Sequence, residues 1–252
     1  MALSTNQDDK QGRVVATASS KGGVGKSTFV MALASAFAKN GLNVGILDND
    51  PNQPIIEWVS ENPITGITVY PKVEDNDVLD TIDGLRSRHD IVLADMEGSA
   101  NLGVAMAIAS ADLVLIPSQG SGMDDKEAAK TLNLIRNQSK LARREIPYRI
   151  VFTRTNPAIT PRSLKRAYER LLARGIPHMK AEFTNLDAFK LFVDEGKSLY
   201  DLSKEEAPNL NGALKTLHNL TSEVVAILND PQHGIEPKAP TKNERKEEAA
   251  NG

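Results

Sequence analysis

The chain has no cysteine, and aromatic residues make up only 4% of its 252 residues. Without cysteine, disulfide bonds, cysteine-held iron–sulfur clusters and thiolate metal sites are excluded. No apolar run approaches the roughly 20 residues that span a bilayer. Residues 1–11 are polar and do not resemble a secretory signal. These absences predict a cytoplasmic protein.

The length suits one α/β domain with a sizeable core, and the formal net charge is only -3. Residues 1–12 are polar, and residues 231–252 are rich in Pro, Lys and Glu with almost no apolar side chains. Such segments cannot bury a core. We therefore expect a disordered N-terminal arm (1–12), a single domain (13–230) and a disordered C-terminal tail (231–252).

A glycine-rich segment stands between an apolar run and a helical pattern. It reads Ser-Lys-Gly-Gly-Val-Gly-Lys-Ser-Thr over residues 20–28. A strand, a glycine turn, Gly-Lys-Ser and a helix form the layout of a phosphate-binding P-loop, because backbone N–H groups can then surround a polyphosphate. Lys26 would reach the outer phosphates and Ser27 would bind Mg²⁺. The expected nucleotide contacts are Lys21, Gly22, Gly23, Val24, Gly25, Lys26, Ser27 and Thr28.

Strand and helix patterns alternate along the rest of the chain. Candidate strands are Arg13–Ser19, Asn43–Asp48, Ile67–Tyr70, Ile91–Asp95, Leu113–Pro117, Arg149–Arg154 and a weaker one near His178–Ala181. Candidate helices are Lys26–Lys39, Val78–Arg88, Leu102–Ser110, Asp125–Gln138, Pro161–Arg174 and Leu210–Asn229. The strands are nearly continuous apolar runs, as in sheets covered on both faces. The pattern predicts a doubly wound α/β domain: a mostly parallel sheet with helices on both faces, of the P-loop NTPase type.

Two predicted strands end in carboxylates. Asp48 and Asp50 close the second strand, and Asp95 follows the apolar run Ile91–Ala94. Because the carboxyl ends of parallel strands meet at the P-loop edge, Asp95 is placed to bind Mg²⁺ directly or through water. Asp50 is the better candidate for orienting an attacking water, with Asp48 nearby. A turn or helix cap is the alternative for each aspartate.

These motifs together resemble the deviant Walker A ATPases of the ParA/MinD type. Within that group the chain looks most like small partition ATPases, and it is also similar to VirC-type ATPases of T-DNA transfer. The resemblance covers most of residues 13–229 and implies ATP and Mg²⁺ as ligands. It implies that Lys21 crosses to the nucleotide of a second copy in an ATP-dependent dimer, and that Lys26 and Asp50 take part in catalysis. More weakly, it places Arg154 at the adenine pocket.

One residue departs from the pattern of that family. The family often has two prolines shortly after the Walker B aspartate, whereas Met-Glu-Gly follows Asp95 here. Glu97 is either a surface loop residue or a contact to the water or the switch region.

Basic residues are concentrated in one segment of the chain. Residues 140–197 carry 13 Lys or Arg against 6 Asp or Glu, so this segment is net +7. Arginines recur every fourth residue in the helix predicted from Pro161, opposite Leu164, Ala167, Leu171 and Leu172. Such a row suits DNA phosphates, although a solvated helix face is the alternative. The DNA-binding candidates are Arg162, Lys165, Arg166, Arg170 and Arg174.

The leading hypothesis is a slow ATPase whose ATP-bound dimer binds DNA nonspecifically to segregate a plasmid, chromosome or other cargo. A ParB-like or other adaptor would stimulate hydrolysis. Alternatives are a VirC-type accessory factor for DNA transfer and a MinD-like membrane-positioning ATPase, although residues 231–252 lack an amphipathic pattern. An iron-protein reductase would need cysteines, and Lys21 argues against a small-metabolite kinase. We expect no membrane partner, and association with the nucleoid when ATP is bound.

Overall fold

The computed structural model describes residues 11–19, 22–96 and 101–235, without the side chains of residues 122–125. Seven parallel strands form a sheet in the order β3-β2-β4-β1-β5-β6-β7. The strands are β1 (Arg13–Thr17), β2 (Val44–Asn49), β3 (Ile67–Tyr70), β4 (Ile91–Met96), β5 (Leu113–Ser118), β6 (Tyr148–Thr155) and β7 (Phe183–Thr184). The helices are α1 (Lys26–Lys39), α2 (Pro54–Ser60), α3 (Val78–Arg86), α4 (Leu102–Ser110), α5 (Gly122–Ala142), α6 (Arg162–Ala173), α7 (Ala188–Asp194) and α8 (Leu210–Asn229). This is the doubly wound α/β fold that the sequence predicts.

Alternate residues of each strand enter two separate cores. Val15 of β1 faces the core built with α1, α2, α7 and α8, whereas Val14 and Ala16 face the core built with α3 to α6. Both faces of the sheet are therefore covered. This explains why the strands are apolar throughout rather than alternating.

The helix that follows the glycine turn is the most deeply buried. Residues 29–37 of α1 are all buried, although only some of them share one helix face. A helix that is apolar around its whole circumference must be enclosed by other elements. Here the sheet lies on one side of α1, and α7 and α8 pack around the rest.

The seventh strand is not where the sequence predicts it. His178 forms only one isolated parallel bridge with Ile150, and β7 follows at Phe183–Thr184. The reason lies in a carboxylate from α8. Glu223 accepts hydrogen bonds from the backbone N–H groups of Lys180 and Ala181, both at 2.8 Å, and these groups are lost to strand pairing.

Several other boundaries differ by a few residues. Helix α5 runs from Gly122 to Ala142, longer than predicted at both ends, and α7 was not predicted. The chain ends also differ from the expected division. Gly12 donates its N–H to Arg86 O at 2.7 Å. Residues 231–235 form a turn whose Pro231 and His233 carbonyls accept from Arg149 Nη2 at 2.7 and 2.9 Å. The rest of both predicted disordered ends lies outside the described residues.

Candidate active site at the carboxyl edge of the sheet

The glycine turn has the backbone that a P-loop requires. Gly23 and Gly25 adopt positive φ values of 72° and 87°, and Gly25 is the N-cap of α1. Side chains with a Cβ rarely adopt this conformation. The turn is tied to the sheet because Thr153 Oγ1 of β6 donates a 2.7 Å hydrogen bond to Val24 O. The predicted strand, turn and helix are thus assembled, with the N-terminus of α1 at the carboxyl edge of the sheet.

Lys26 lies between two of the predicted carboxylates. Its Nζ donates to Asp95 Oδ1 at 2.8 Å and is 3.9 Å from Asp50 Oδ2. The lysine is 8% exposed and Asp95 is fully buried, so this ion pair lies in a poorly hydrated setting. A phosphate arriving at the turn would compete with Asp95 for the same ammonium group.

Asp95 stands at the end of β4 with half of its carboxylate engaged. Burial raises the pKa of this carboxyl, while Lys26 and a hydrogen bond from Ser27 act in the opposite direction. Its Oδ2 is buried and has no hydrogen-bond partner among the described residues. A buried acceptor of this kind needs a partner from elsewhere.

The oxygen atoms at this position fit Mg²⁺. A carboxylate oxygen and a serine hydroxyl are hard ligands, and Mg²⁺ commonly takes only one or two protein ligands beside phosphates and water. Asp95 and Ser27 offer that number. The part of the chain that the structure describes contains no cluster of three or more His, Cys, Asp or Glu side chains suited to a metal.

Asp48 and Asp50 have different surroundings although they are two residues apart. Asp48 is fully buried, and its Oδ2 caps α2 by accepting from the N–H groups of Ile55 and Ile56 at 2.8 and 3.0 Å. Burial raises its pKa to about 6. Asp50 is partly exposed, and its Oδ1 accepts from the backbone and side chain of Asn52. The helix-cap alternative therefore describes Asp48, whereas Asp50 faces the ammonium of Lys26.

Arg154 lies beside the glycine turn. Its φ is 55°, and a Cβ built on Gly25 would lie 3.6 Å from Arg154 Nε. The structure places Arg154 against the glycine turn, and its role at the adenine pocket stays a prediction. Lys21 and Glu97 lie outside the described residues, so their predicted roles remain predictions.

The basic residues predicted to form one row on α6 differ in their exposure to solvent. Arg162, Lys165, Arg166 and Arg174 are exposed, whereas Arg170 is half-buried. Leu172 was expected on the apolar side, but it is 51% exposed because only Leu164, Ala167 and Leu171 enter the core. The most accessible part of the row is at the start of α6.

The basic segment 140–197 does not form one surface. Helix α6 packs on one face of the sheet, and α7, with Lys190, packs on the other. Further exposed cations on the α6 face come from a helix that sequence reasoning did not connect with α6. Exposed Lys126, Arg136 and Lys140 belong to α5, which lies in the same layer as α6.

A comparison with models of protein families shows the family of this chain. Residues 12–228 match the model described as "VirC1 protein". The chain belongs to the VirC1 family. It is 31% identical over 207 residues to a ParA protein of Rhizobium radiobacter, covering 80% of this chain and 91% of that one. A virC1 protein of the same organism is 27% identical over 215 residues, with 82% and 92% covered. The predicted relationship to ParA/MinD-type ATPases is confirmed.

Solved structures confirm the fold. McdA from Cyanothece without nucleotide gives a TM-score of 0.68 at 15% identity, over 82% of this chain and 99% of that one. A plasmid partition protein of Borrelia burgdorferi bound to AMPPNP gives 0.60 at 19% identity, over 83% and 100%. Among the described residues of this VirC1-family chain, no helix has the length and apolarity needed to cross a membrane.

Proposed function

We propose that this VirC1-family protein binds Mg·ATP at the carboxyl edge of the sheet and hydrolyses it to ADP and phosphate. The observation that carries the proposal is the buried contact of Lys26 with Asp95, beside Asp50, at the N-terminus of α1. A cation and carboxylates around a glycine turn are the groups that phosphoryl transfer requires. The named relatives and the nucleotide in the Borrelia structure support it.

Each side chain then has a distinct task. Lys26 exchanges Asp95 for phosphate oxygens, which frees the carboxylate. Ser27 and Asp95 would hold Mg²⁺, which would supply positive charge against the phosphates. Asp50 orients the attacking water. Lys21 reaches the nucleotide of a second copy and acts as a trans-acting cation, so hydrolysis is slow until the dimer is tightened by an adaptor protein.

We further propose that the ATP-bound dimer binds DNA without sequence preference through α6, most strongly through its exposed N-terminal half. This would associate the protein with the nucleoid and with a plasmid, chromosome or other DNA cargo. Arg162, Lys165 and Arg166 are exposed together, and the neighbouring helix α5 adds further cations. Phosphate contacts of this kind give salt-dependent affinity without reading bases.

A gel retardation experiment with ATP, with ADP and without nucleotide tests this cycle. We expect retardation of a random-sequence duplex only with Mg·ATP, in parallel with dimer formation by sedimentation. Retardation that is equal in all three conditions would contradict the nucleotide switch. A monomer at saturating Mg·ATP, with an Asp50→Ala change that blocks hydrolysis, would contradict the dimer.

A charge-reversal pair separates the DNA surface from the nucleotide site. We expect Arg162→Glu with Arg166→Glu to weaken DNA binding at least tenfold and to lower the salt dependence of binding, because about two phosphate contacts per protomer are lost. ATP binding should be unchanged. The matched control is Lys190→Glu with Lys215→Glu, which reverses two exposed lysines on the opposite face of the sheet. Equal effects of the two pairs would show that total charge, not α6, governs binding.

The family match favours a second candidate, a VirC-type accessory ATPase that recruits a DNA-transfer complex. The nucleotide chemistry would be the same and the DNA target would differ. Footprinting on a transfer origin distinguishes the two, because a protected sequence would favour recruitment over partition. A MinD-like membrane role is a weaker alternative, which pelleting with anionic liposomes would reveal.

A further inference from the structure

A pocket of about 490 Å³ lies at the amino edge of the sheet, away from the glycine turn. Its walls come from the last turn of α1, the loop between α2 and β3, and the segment that follows α7. The 14 residues of α1 separate it from the P-loop by about 20 Å. The volume falls within the range of roughly 300–1,000 Å³ typical of small-molecule sites. The residues that line this pocket include Lys39, Asn62, Ile64, Tyr200 and Asp201.

One wall of this pocket is held in place by tertiary hydrogen bonds. The buried Trp58 donates its indole N–H to Lys197 O at 2.9 Å and to Phe192 O at 3.2 Å. Gly196 has a φ of 57°, and a Cβ on it would lie 3.1 Å from Trp58 O. These contacts fix the chain that leads into the pocket, so the cavity exists before any ligand arrives.

Some charged side chains around the pocket form ion pairs and others do not. Lys197 is already paired, with its Nζ 3.0 Å from Glu206 and 3.6 Å from Glu195. Lys39 and Asp201 also line the pocket, but within the described ranges neither forms an ion pair, with each other or with any other side chain. The Lys39 ammonium lies 5.7 Å from the centre of the Tyr200 ring. Lys39 and Asp201 are both exposed to solvent, so this half-open pocket offers two opposite charges that are not paired with each other.

We propose that this pocket binds a free α-amino acid with an aliphatic side chain. Lys39 binds the carboxylate, with the Asn62 amide and the Tyr200 hydroxyl as additional donors. Asp201 binds the ammonium group, and Ile64 contacts the side chain. A nucleotide or another polyanion does not suit the site, because Asp201, Glu195 and Glu206 outnumber Lys39 and Lys197. The site therefore differs from the nucleotide edge in position and in ligand chemistry.

Calorimetric titration with L-leucine and two truncated analogues tests the zwitterion requirement. The analogues are 4-methylpentanoate, which lacks the ammonium group, and isopentylamine, which lacks the carboxylate. We expect L-leucine to bind with one-to-one stoichiometry and each analogue to bind at least tenfold more weakly. Absence of leucine binding at 10 mM, or equal binding of the three compounds, would overturn the proposal.

Two neutralising variants assign the binding to this pocket. Lys39→Gln and Asp201→Asn should each weaken leucine binding at least tenfold, and Lys215→Gln, an exposed lysine of α8, should leave it unchanged. Leucine binding that is unaffected by both pocket variants would place the amino acid elsewhere and refute the assignment. Thermal unfolding and Mg·ATP titration of the same samples report folding and the nucleotide site independently, so a failure here is distinguishable from a failure of the proposed function.

Discussion

Buried polar side chains at the two edges of the sheet differ in their hydrogen bonding. At the carboxyl edge, Asp48 Oδ1, Asp95 Oδ2 and Thr155 Oγ1 are buried without hydrogen-bond partners among the described residues. These atoms stand at or next to the last residue of β2, β4 and β6. At the amino edge, the buried side chains of Arg149 and His89 have partners that the fold itself supplies.

At the amino edge, His89 and Arg149 each have several hydrogen-bond partners within the fold. His89 lies between the Tyr70 hydroxyl, 2.9 Å from Nε2, and the Asn43 side-chain oxygen, 3.0 Å from Nδ1. Its ring rests on Gly45, where a Cβ would lie only 2.7 Å from the ring. Arg149 donates to three backbone carbonyls, those of Tyr148, Pro231 and His233. Cutting such contacts leaves buried groups unpaired, which destabilises the fold.

The difference separates function from stability. A buried acceptor without a partner costs free energy, and one that stands at a strand end beside the glycine turn is a candidate contact for a ligand. Substitution of the buried polar groups at the carboxyl edge should therefore lower activity, and substitution of those at the amino edge should lower stability. Three substitutions test this division, in order of decreasing effect.

The largest effect is expected at Lys26. Lys26→Gln removes the cation that meets the phosphates, and we expect ATP turnover to fall by about 10²- to 10³-fold. Steady-state hydrolysis, measured with and without DNA, checks this. Lys215→Gln, which changes an exposed lysine of α8, is the control and should retain turnover. Comparable losses in both variants would mean that loss of one positive charge, not the position of Lys26, lowers turnover.

Arg149→Met should lower the free energy of unfolding by about 3 kcal/mol, because three carbonyls lose a charged donor in a buried setting. Urea unfolding followed by circular dichroism measures the change. Arg13→Met, which removes a half-buried arginine 3.8 Å from Asp112, should cost less than 1 kcal/mol. If Arg149→Met reduced turnover while leaving unfolding unchanged, the division between the edges would be wrong.

The smallest effect concerns pH. Burial and the neighbouring Arg88 lower the pKa of His89 below its usual 6.5. The unfolded chain therefore binds the proton first as the pH falls, so stability present above pH 6.5 is lost as the pH drops through the folded-state pKa. We measure the melting temperatures of wild type and His89→Gln between pH 8 and pH 5. The difference between the two proteins should be smaller at pH 5 than at pH 8, because only wild type loses stability when His89 is protonated. Parallel curves would exclude His89 as the titrating group.

Local signals were sufficient for most of the fold. The sequence places α1, α4, α8 and β3 at their observed limits, because each has strong periodicity or a continuous apolar run bounded by turn residues. Helix α7 was missed because seven residues give little periodicity and its order depends on packing against α8 and Trp58. The seventh strand was misplaced because Glu223, more than 40 residues away, captures its N–H groups.

Most of the candidate site could also be predicted from local sequence signals. The order glycine turn, Lys26, Asp50 and Asp95 is readable because parallel strands deliver their ends to one edge. That Asp48 caps α2 while Asp50 faces Lys26 depends on the path of the loop between them and α2, which no short pattern encodes. The half-burial of Arg170 likewise depends on how α6 packs against its neighbours.

The central claim is that Asp95 Oδ2, which has no hydrogen-bond partner among the described residues, binds the Mg²⁺ that accompanies the nucleotide. Calorimetric titration of ATP into wild type and Asp95→Asn, each in Mg²⁺ and in EDTA, tests it most directly. We predict that Mg²⁺ tightens ATP binding at least tenfold in wild type and has no effect on Asp95→Asn. Wild-type binding that is identical in Mg²⁺ and EDTA, or a full Mg²⁺ effect in the variant, would contradict the account.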